Sequence, residues 1–202
     1  MRLGLFGGSF DPIHYGHIHP VREAKDHLGL DRIVYLPTAE PPHKPGRQFA
    51  PPYARFTMVE IALLDEPDME VSPFELTPDQ PAFTVDSMLY FSSLYPEADL
   101  FLIIGGDSFA ELHTWRNWDE VVNLAQLAVL ARPNWSWDEV RSKVAPEIAK
   151  LAESGRVHFV SNQPVAVSAT QLRDLIAGQG ELPPELVPKL VLKYARKYSL
   201  YR

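Results

Sequence analysis

His14 and His17 bracket a glycine-rich turn, Gly7-Gly8-Ser9-Phe10-Asp11-Pro12-Ile13-His14-Tyr15-Gly16-His17. Gly7 and Gly8 carry no Cβ, so their amides can approach a ligand closely. The helix expected next presents unpaired N–H groups and the positive end of its dipole, which suits phosphate. Two imidazoles three residues apart across that helix start can both face one anion. Zinc ligation is the competing chemistry, but the chain has no cysteine and no third ligand at a recognisable spacing. A second stretch repeats the physics. Ser168 can cap a helix, Thr170 lies in its first turn and Arg173 one turn further on. Hydroxyls at a helix N-terminus beside a guanidinium form a second anion site of the same kind.

Other polar residues have weaker signals. His43-Lys44 follows Pro41-Pro42 in a proline-rich loop from Pro37 to Pro52. On its own it reads equally as a solvated basic pair or as a point charge that could close over an anion. Gly105-Gly106-Asp107-Ser108 ends a buried strand, where Asp107 could cap the next helix. Thr84 reads as an N-cap. Trp115 stands in a loop, ahead of a helix that starts at Trp118. Arg132 follows a strand and points toward its carboxyl end, the side on which the glycine turns lie.

The elements that position these residues follow from hydrophobic patterning. Leu3–Phe6, Arg32–Leu36, Met69–Phe74, Leu100–Ile104, Leu127–Ala131 and the pair Val157–Val160 and Val165–Val167 read as strands. Helices are expected at Ile18–Leu28, with Pro20 in its first turn, at Tyr53–Leu64 with Phe56, Val59 and Leu63 inward, and from Thr84 with Val85, Met88 and Leu89 inward. Further helices are expected at Ser136–Glu153, from Ser168, and at Glu185–Tyr198 with Val187, Leu190, Val191 and Tyr194 inward. Leu100–Ile104 lacks polar alternation and should lie at the centre of the sheet. Alternating strands and helices imply right-handed crossovers. The fold class is α/β: a Rossmann-like, doubly wound, mainly parallel sheet with helices on both faces, expected as one domain over residues 1–202, with a C-terminal helical portion from about 168. Ligands of such sheets sit at the carboxyl ends of the strands.

At 202 residues and 46% hydrophobic composition the chain can bury a sizeable core. A net charge of −7 disfavours nucleic acid polymers and anionic membranes as partners. Phosphate substrates would therefore need positive charge concentrated locally. The absence of cysteine fits a cytoplasmic location. Met1–Leu5 runs straight into a strand without a signal-peptide core, and no run is long enough to span a membrane.

Taken together, these motifs resemble the nucleotidylyltransferase superfamily, and more narrowly its bacterial nicotinate mononucleotide adenylyltransferases. Six stretches occur in the expected order over nearly the whole chain: the turn from Gly7 to His17, Pro42-His43-Lys44, Phe83-Thr84-Val85-Asp86, Gly105-Gly106-Asp107, Trp115, and Val167-Ser168-Ala169-Thr170-Gln171-Leu172-Arg173. Ala131-Arg132-Pro133 also matches. Ala169 replaces the second serine of the family's Ile-Ser-Ser-Thr-x-Ile-Arg, which removes one hydroxyl.

The resemblance implies adenylyl transfer from MgATP to nicotinate mononucleotide, giving nicotinate adenine dinucleotide and pyrophosphate. His14, His17, Lys44 and Arg173 are then the catalytic set. Gly7, Gly8, Ser9, Phe10, His17, Gly106, Asp107, Ser168, Thr170 and Arg173 bind ATP, with Gly106 and Asp107 on the ribose. His43, Lys44, Thr84, Trp115, Arg116 and Arg132 bind the mononucleotide. Mg²⁺ arrives on ATP oxygens, with no dedicated protein ligands, and a homo-oligomer is allowed. No Walker A loop, G-x-G-x-x-G fingerprint or Ser-His-Asp set is present. The alternatives are a related transferase with a phosphopantetheine or cytidylyl substrate, and a nucleotide-binding module without chemistry.

Overall fold

A computed structural model describes residues 1–39, 49–76, 83–130, 137–161, 167–178, 183 and 185–201. In chain order the elements are β1 (Arg2–Gly8), α1 (Tyr15–Leu28), β2 (Arg32–Pro37), α2 (Pro52–Ala62), β3 (Met69–Val71), α3 (Thr84–Leu94), β4 (Asp99–Gly105), α4 (Gly106–Ala110), α5 (Trp118–Leu124), β5 (Gln126–Leu130), α6 (Trp137–Val140), α7 (Pro146–Ala152), β6 (Val157–Val160), α8 (Ala169–Ala177) and α9 (Lys189–Lys197). The strands form one sheet in the order β3-β2-β1-β4-β5-β6. β1 runs parallel to β4, β4 to β5 and β5 to β6. The strand order reverses between β1 and β4, as in doubly wound sheets, and the expected α/β class holds. β4 is the central strand its uninterrupted apolar run implied, with Leu100 to Ile104 all buried.

The chain divides into two compact units. The first comprises Met1–Gly7, Pro20–Ile33 and Phe83–Pro164. Its core lines both faces of β4 and β5, with Phe101, Leu127, Ala128 and Val129 at zero exposure. Phe109, Trp137 and Phe159 form an aromatic cluster, the last two stacked at 5.2 Å. Arg2 donates from Nη1 to the carbonyl of Leu28 and lies 4.7 Å above the Phe101 ring, which ties the start of β1 to the end of α1.

The second unit comprises Gly8–His19, Val34–Ala82 and Val165–Arg202. Its core is built by Ile13, Met58, Val59, Leu172 and Val191, with α9 packed on α2 and on α8.

Several expectations are corrected. α1 starts at Tyr15, three residues early, so Pro20 stands inside the helix rather than in its first turn. Pro20 has no N–H for the fourth-preceding carbonyl, that of Gly16. The single helix expected over Ser136–Glu153 is two, because Pro146 can only begin a helix and does so at α7; Ser136 itself lies outside the described residues. The buried stripe of α2 is Arg55, Met58 and Val59, continued by Leu63 beyond the helix, while Phe56 is only half-buried. On α3, Leu89 is exposed and Phe91 is buried in its place. α9 begins after Pro188 and leaves Leu190 exposed, while Ala195 packs inward. Val167 is not in a strand, and Val165 and Ala166 lie outside the described residues.

Candidate active site

The first turn is built around Phe10. Its φ of 44° is left-handed, unusual for a bulky residue. Burial over-determines it: Phe10 is 1% exposed, with its ring 5.2 Å from His17 and 5.6 Å from Tyr35. The ring folds back beneath Gly8, where an added Cβ would come within 2.9 Å of it. Gly8 is thus required by internal packing. Gly7 differs, because a Cβ there would meet nothing within 4 Å. Among the described residues no neighbour demands a glycine at position 7.

The histidines meet as their spacing suggested. His17 donates its amide to the carbonyl of His14 at 2.8 Å, and the imidazoles stack at 3.8 Å and 25°. Gly16 makes this possible by its lack of bulk. A Cβ on Gly16 would come within 2.8 Å of Val167 Cγ1 and 2.9 Å of His14 Nδ1. Burial lowers the pKa of His14 to about 4, so its ring is neutral at pH 7. Its Nδ1 is buried without a hydrogen-bond partner among the described residues.

Asp11, 2% exposed, gathers the surrounding segments. Its Oδ1 accepts from the Tyr201 hydroxyl at 2.8 Å and from the amide of Ala50 at 3.2 Å. Arg173 Nη1 donates to the main-chain oxygen of Asp11 at 2.8 Å and lies 3.7 Å from its Oδ2. Arg173 Nη2 donates to Thr170 Oγ1 at 2.9 Å, and Ser168 caps α8 by accepting the amide of Gln171 at 3.4 Å. Both hydroxyl oxygens act as acceptors here. The second anion stretch is therefore fastened directly to the first.

Arg55, fully buried, braces the same turn from α2. It donates from Nη1 to Ser9 O at 2.6 Å, from Nη2 to Ala39 O at 2.8 Å and from Nε to Ala50 O at 2.9 Å. Desolvation lowers its pKa, and the Asp11 carboxylate opposes that shift. Sequence reasoning missed both Arg55 and Tyr201. Arg55 had a signal: it stands three and four residues before Met58 and Val59, in phase with the buried stripe, where a lone cation needs partners. Tyr201 follows the last helix and has no periodic signal.

In the first unit, Gly106 is buried at the start of α4 and Asp107 is exposed beside it. Thr84 is not the cap of α3. Phe83 holds that position, no side chain caps the helix, and Thr84 is its first residue. The Arg116 guanidinium lies 4.6 Å over the ring of Phe83, the residue from which the chain enters α3. Trp115 closes the 3-10 turn Leu112–Thr114 and is half-buried, as is Trp118. Left-handed Asn117, φ 48°, turns the chain into α5 at Trp118. His43, Lys44 and Arg132 lie outside the described residues.

A doubly wound α/β sheet whose first turn joins a histidine pair to the Ser-x-Thr-x-x-Arg start of a late helix defines a nucleotidyltransferase-type fold. The cytidylyltransferase-like family model matches residues 5–175. The probable nicotinate-nucleotide adenylyltransferase of Shewanella sp. (strain MR-7) is 36% identical over 212 residues, covering 100% of this chain and 99% of that protein. That of Neisseria meningitidis serogroup B is 34% identical over 200 residues, covering 99% and 98%. The Plasmodium falciparum nicotinic acid mononucleotide adenylyltransferase solved with NaAD superposes at a TM-score of 0.77 with 17% identity, covering 99% of this chain and 97% of that one. The chain belongs to the cytidylyltransferase-like family and, within it, to the nicotinate-nucleotide adenylyltransferases.

Proposed function

We propose that this protein transfers the adenylyl group of MgATP to nicotinate mononucleotide, releasing pyrophosphate and forming nicotinate adenine dinucleotide for NAD biosynthesis. The observation that carries the reading is the Arg173–Asp11 bond, which joins the hydroxyl-bearing start of α8 to the turn that holds His14 and His17. Two anion-binding helix starts joined in this way suit a polyphosphate.

A mononucleotide phosphate is largely ionised at neutral pH, so no general base is needed. One of its oxygens attacks the α-phosphorus of ATP. The bond from that phosphorus to the α,β-bridging oxygen breaks, and pyrophosphate leaves with that electron pair. Catalysis is then alignment and charge stabilisation. Neutral His14 acts as a single hydrogen-bond donor. His17, Lys44 and the amides from Gly8 to Phe10 complete the donors at the reacting and bridging oxygens, with Gly7 leaving them approachable. Ser168, Thr170 and Arg173 hold the departing pyrophosphate.

Gly106 and Asp107 take the adenosine ribose. Trp115 stacks on the pyridine ring, Thr84 and Arg116 favour its carboxylate, and His43 and Arg132 complete the acceptor site. Mg²⁺ enters on ATP oxygens: on the one buried carboxylate of the phosphate turn, Asp11, Oδ1 is engaged by Tyr201 and Ala50 and Oδ2 faces the Arg173 guanidinium at 3.7 Å. Among the described residues no three His, Cys, Asp or Glu side chains cluster as metal ligands. The net charge of −7 speaks against a nucleic acid polymer as partner. Among the described residues no helix is long and apolar enough to cross a membrane, and a cytoplasmic site of action fits the substrates.

The test is pyrophosphate release from MgATP with nicotinate mononucleotide, nicotinamide mononucleotide or phosphopantetheine as acceptor. The acid mononucleotide is expected to be used fastest. Turnover with phosphopantetheine alone, or tight ATP binding without product from any acceptor, refutes the proposal.

A further inference from the structure

The residue nearest the end of the described chain reaches the phosphate turn near its beginning. The Tyr201 hydroxyl donates to Asp11 Oδ1 at 2.8 Å. The Asp11 main-chain oxygen holds Arg173 at 2.8 Å, and its Oδ2, buried without a hydrogen bond among the described residues, lies 3.7 Å from the same guanidinium. Tyr201 therefore meets the carboxylate on one side and Arg173 meets the same residue on the other. We propose that Tyr201 is a positioning residue for adenylyl transfer: by fixing the Asp11 carboxylate it sets the orientation in which Arg173 meets the leaving pyrophosphate.

Three features support this. Asp11 is too buried for water to replace the phenol, so the carboxylate depends on the few donors it has. Burial, and then the Asp11 charge, push the phenol of Tyr201 far above its ordinary pKa, so it remains a donor at every working pH. Arg173 spends one N–H on Asp11 and one on Thr170, and a guanidinium has five. The direction of the remaining donors is thus set by its two anchors, one of which Tyr201 steadies.

The inference rests on the adenylyl-transfer reading, and its test separates the two. Tyr201→Phe, Arg173→Lys and the double variant of the full chain are compared with the wild type. Turnover is followed with MgATP and nicotinate mononucleotide, and inorganic pyrophosphate is titrated by calorimetry. Tyr201→Phe keeps the ring and removes one donor to a charged acceptor. It is expected to lower kcat/KM for MgATP and weaken pyrophosphate binding by about tenfold, with KM for the mononucleotide little changed. The same substitution in the Arg173→Lys background is expected to add little.

Asp11→Asn keeps the Oδ1 acceptor and removes the charge beside Arg173, and it is expected to show the same non-additivity. Wild-type kinetics and pyrophosphate affinity in Tyr201→Phe overturn the proposal. So does an equal loss in both Arg173 backgrounds. A wild-type protein that turns over no mononucleotide sinks the adenylyl-transfer reading instead, while the pyrophosphate titration still reports on Tyr201.

Discussion

The imidazoles of His14 and His17 lie parallel to within 25°, with centroids 3.8 Å apart, and one backbone hydrogen bond joins their residues. Burial keeps the first ring neutral at pH 7. The pair therefore does not repel itself, and it brings two donors to one place.

His17→Ala removes one of those donors. By analogy with loss of an oxyanion-hole donor, it should cost about 3–4 kcal/mol of transition-state stabilisation, a fall in kcat of roughly 10²–10³. Steady-state kinetics beside an unchanged circular-dichroism spectrum measure this. Normal turnover would remove His17 from the mechanism.

Gly16→Ala places a methyl within 2.8 Å of Val167 Cγ1 and 2.9 Å of His14 Nδ1. One neighbour must move, and overpacking of this kind costs about 1–3 kcal/mol. Both the urea midpoint and kcat should fall. Gly7→Ala meets no atom of the described residues within 4 Å, so its stability should hold while KM for ATP rises.

His14 makes stability depend on pH. Its folded pKa of about 4 lies below the ordinary histidine value of 6.5, so the unfolded chain binds the extra proton first. Above pH 6.5 this has no effect. As the pH falls from 6.5 toward 4, the folded state loses up to about 3 kcal/mol relative to the unfolded one. His14→Gln should flatten that part of the curve, as read by urea denaturation at pH 7 and pH 4.5.

Arg55→Met leaves the carbonyls of Ser9, Ala39 and Ala50 without their guanidinium donor. A loss of about 3–5 kcal/mol in urea-derived stability is expected, in line with broken buried networks. Arg55→Lys should restore little, since a point charge cannot span three acceptors held by a planar fork.

Arg116→Ala tests the ring site. Arg116 is exposed and lies over Phe83, so stability should barely change. KM for nicotinate mononucleotide should rise by roughly 10- to 100-fold, about the worth of one charge-assisted hydrogen bond, and more than KM for the nicotinamide form. Equal changes for both would remove Arg116 from acid selection.

Patterning made β1, β4 and β5 legible because strands covered on both faces read as unbroken apolar runs. The local geometry at the start of α8 was legible because the Ser168 cap and the Arg173–Thr170 bond join residues close in sequence, whereas the hold of Asp11 on Arg173 was not. Phase was harder. On α2 the apolar pattern admitted Phe56, whereas the helix turns Arg55 inward, because three distant carbonyls reward its burial. Thr84 read as a cap on propensity alone, yet the chain enters α3 one residue earlier, at Phe83. Long-range pairing left no local trace: Asp11 and Tyr201 are 190 positions apart, and no period or motif joins them.

That separation bears on the order of biosynthesis. A nascent chain emerging from the ribosome carries Asp11 early, while Arg173 and Tyr201 follow 162 and 190 positions later. Until they emerge, the turn lacks its fastening from α8 and from Tyr201. Competence to grip a polyphosphate should therefore arise only once synthesis has passed Tyr201.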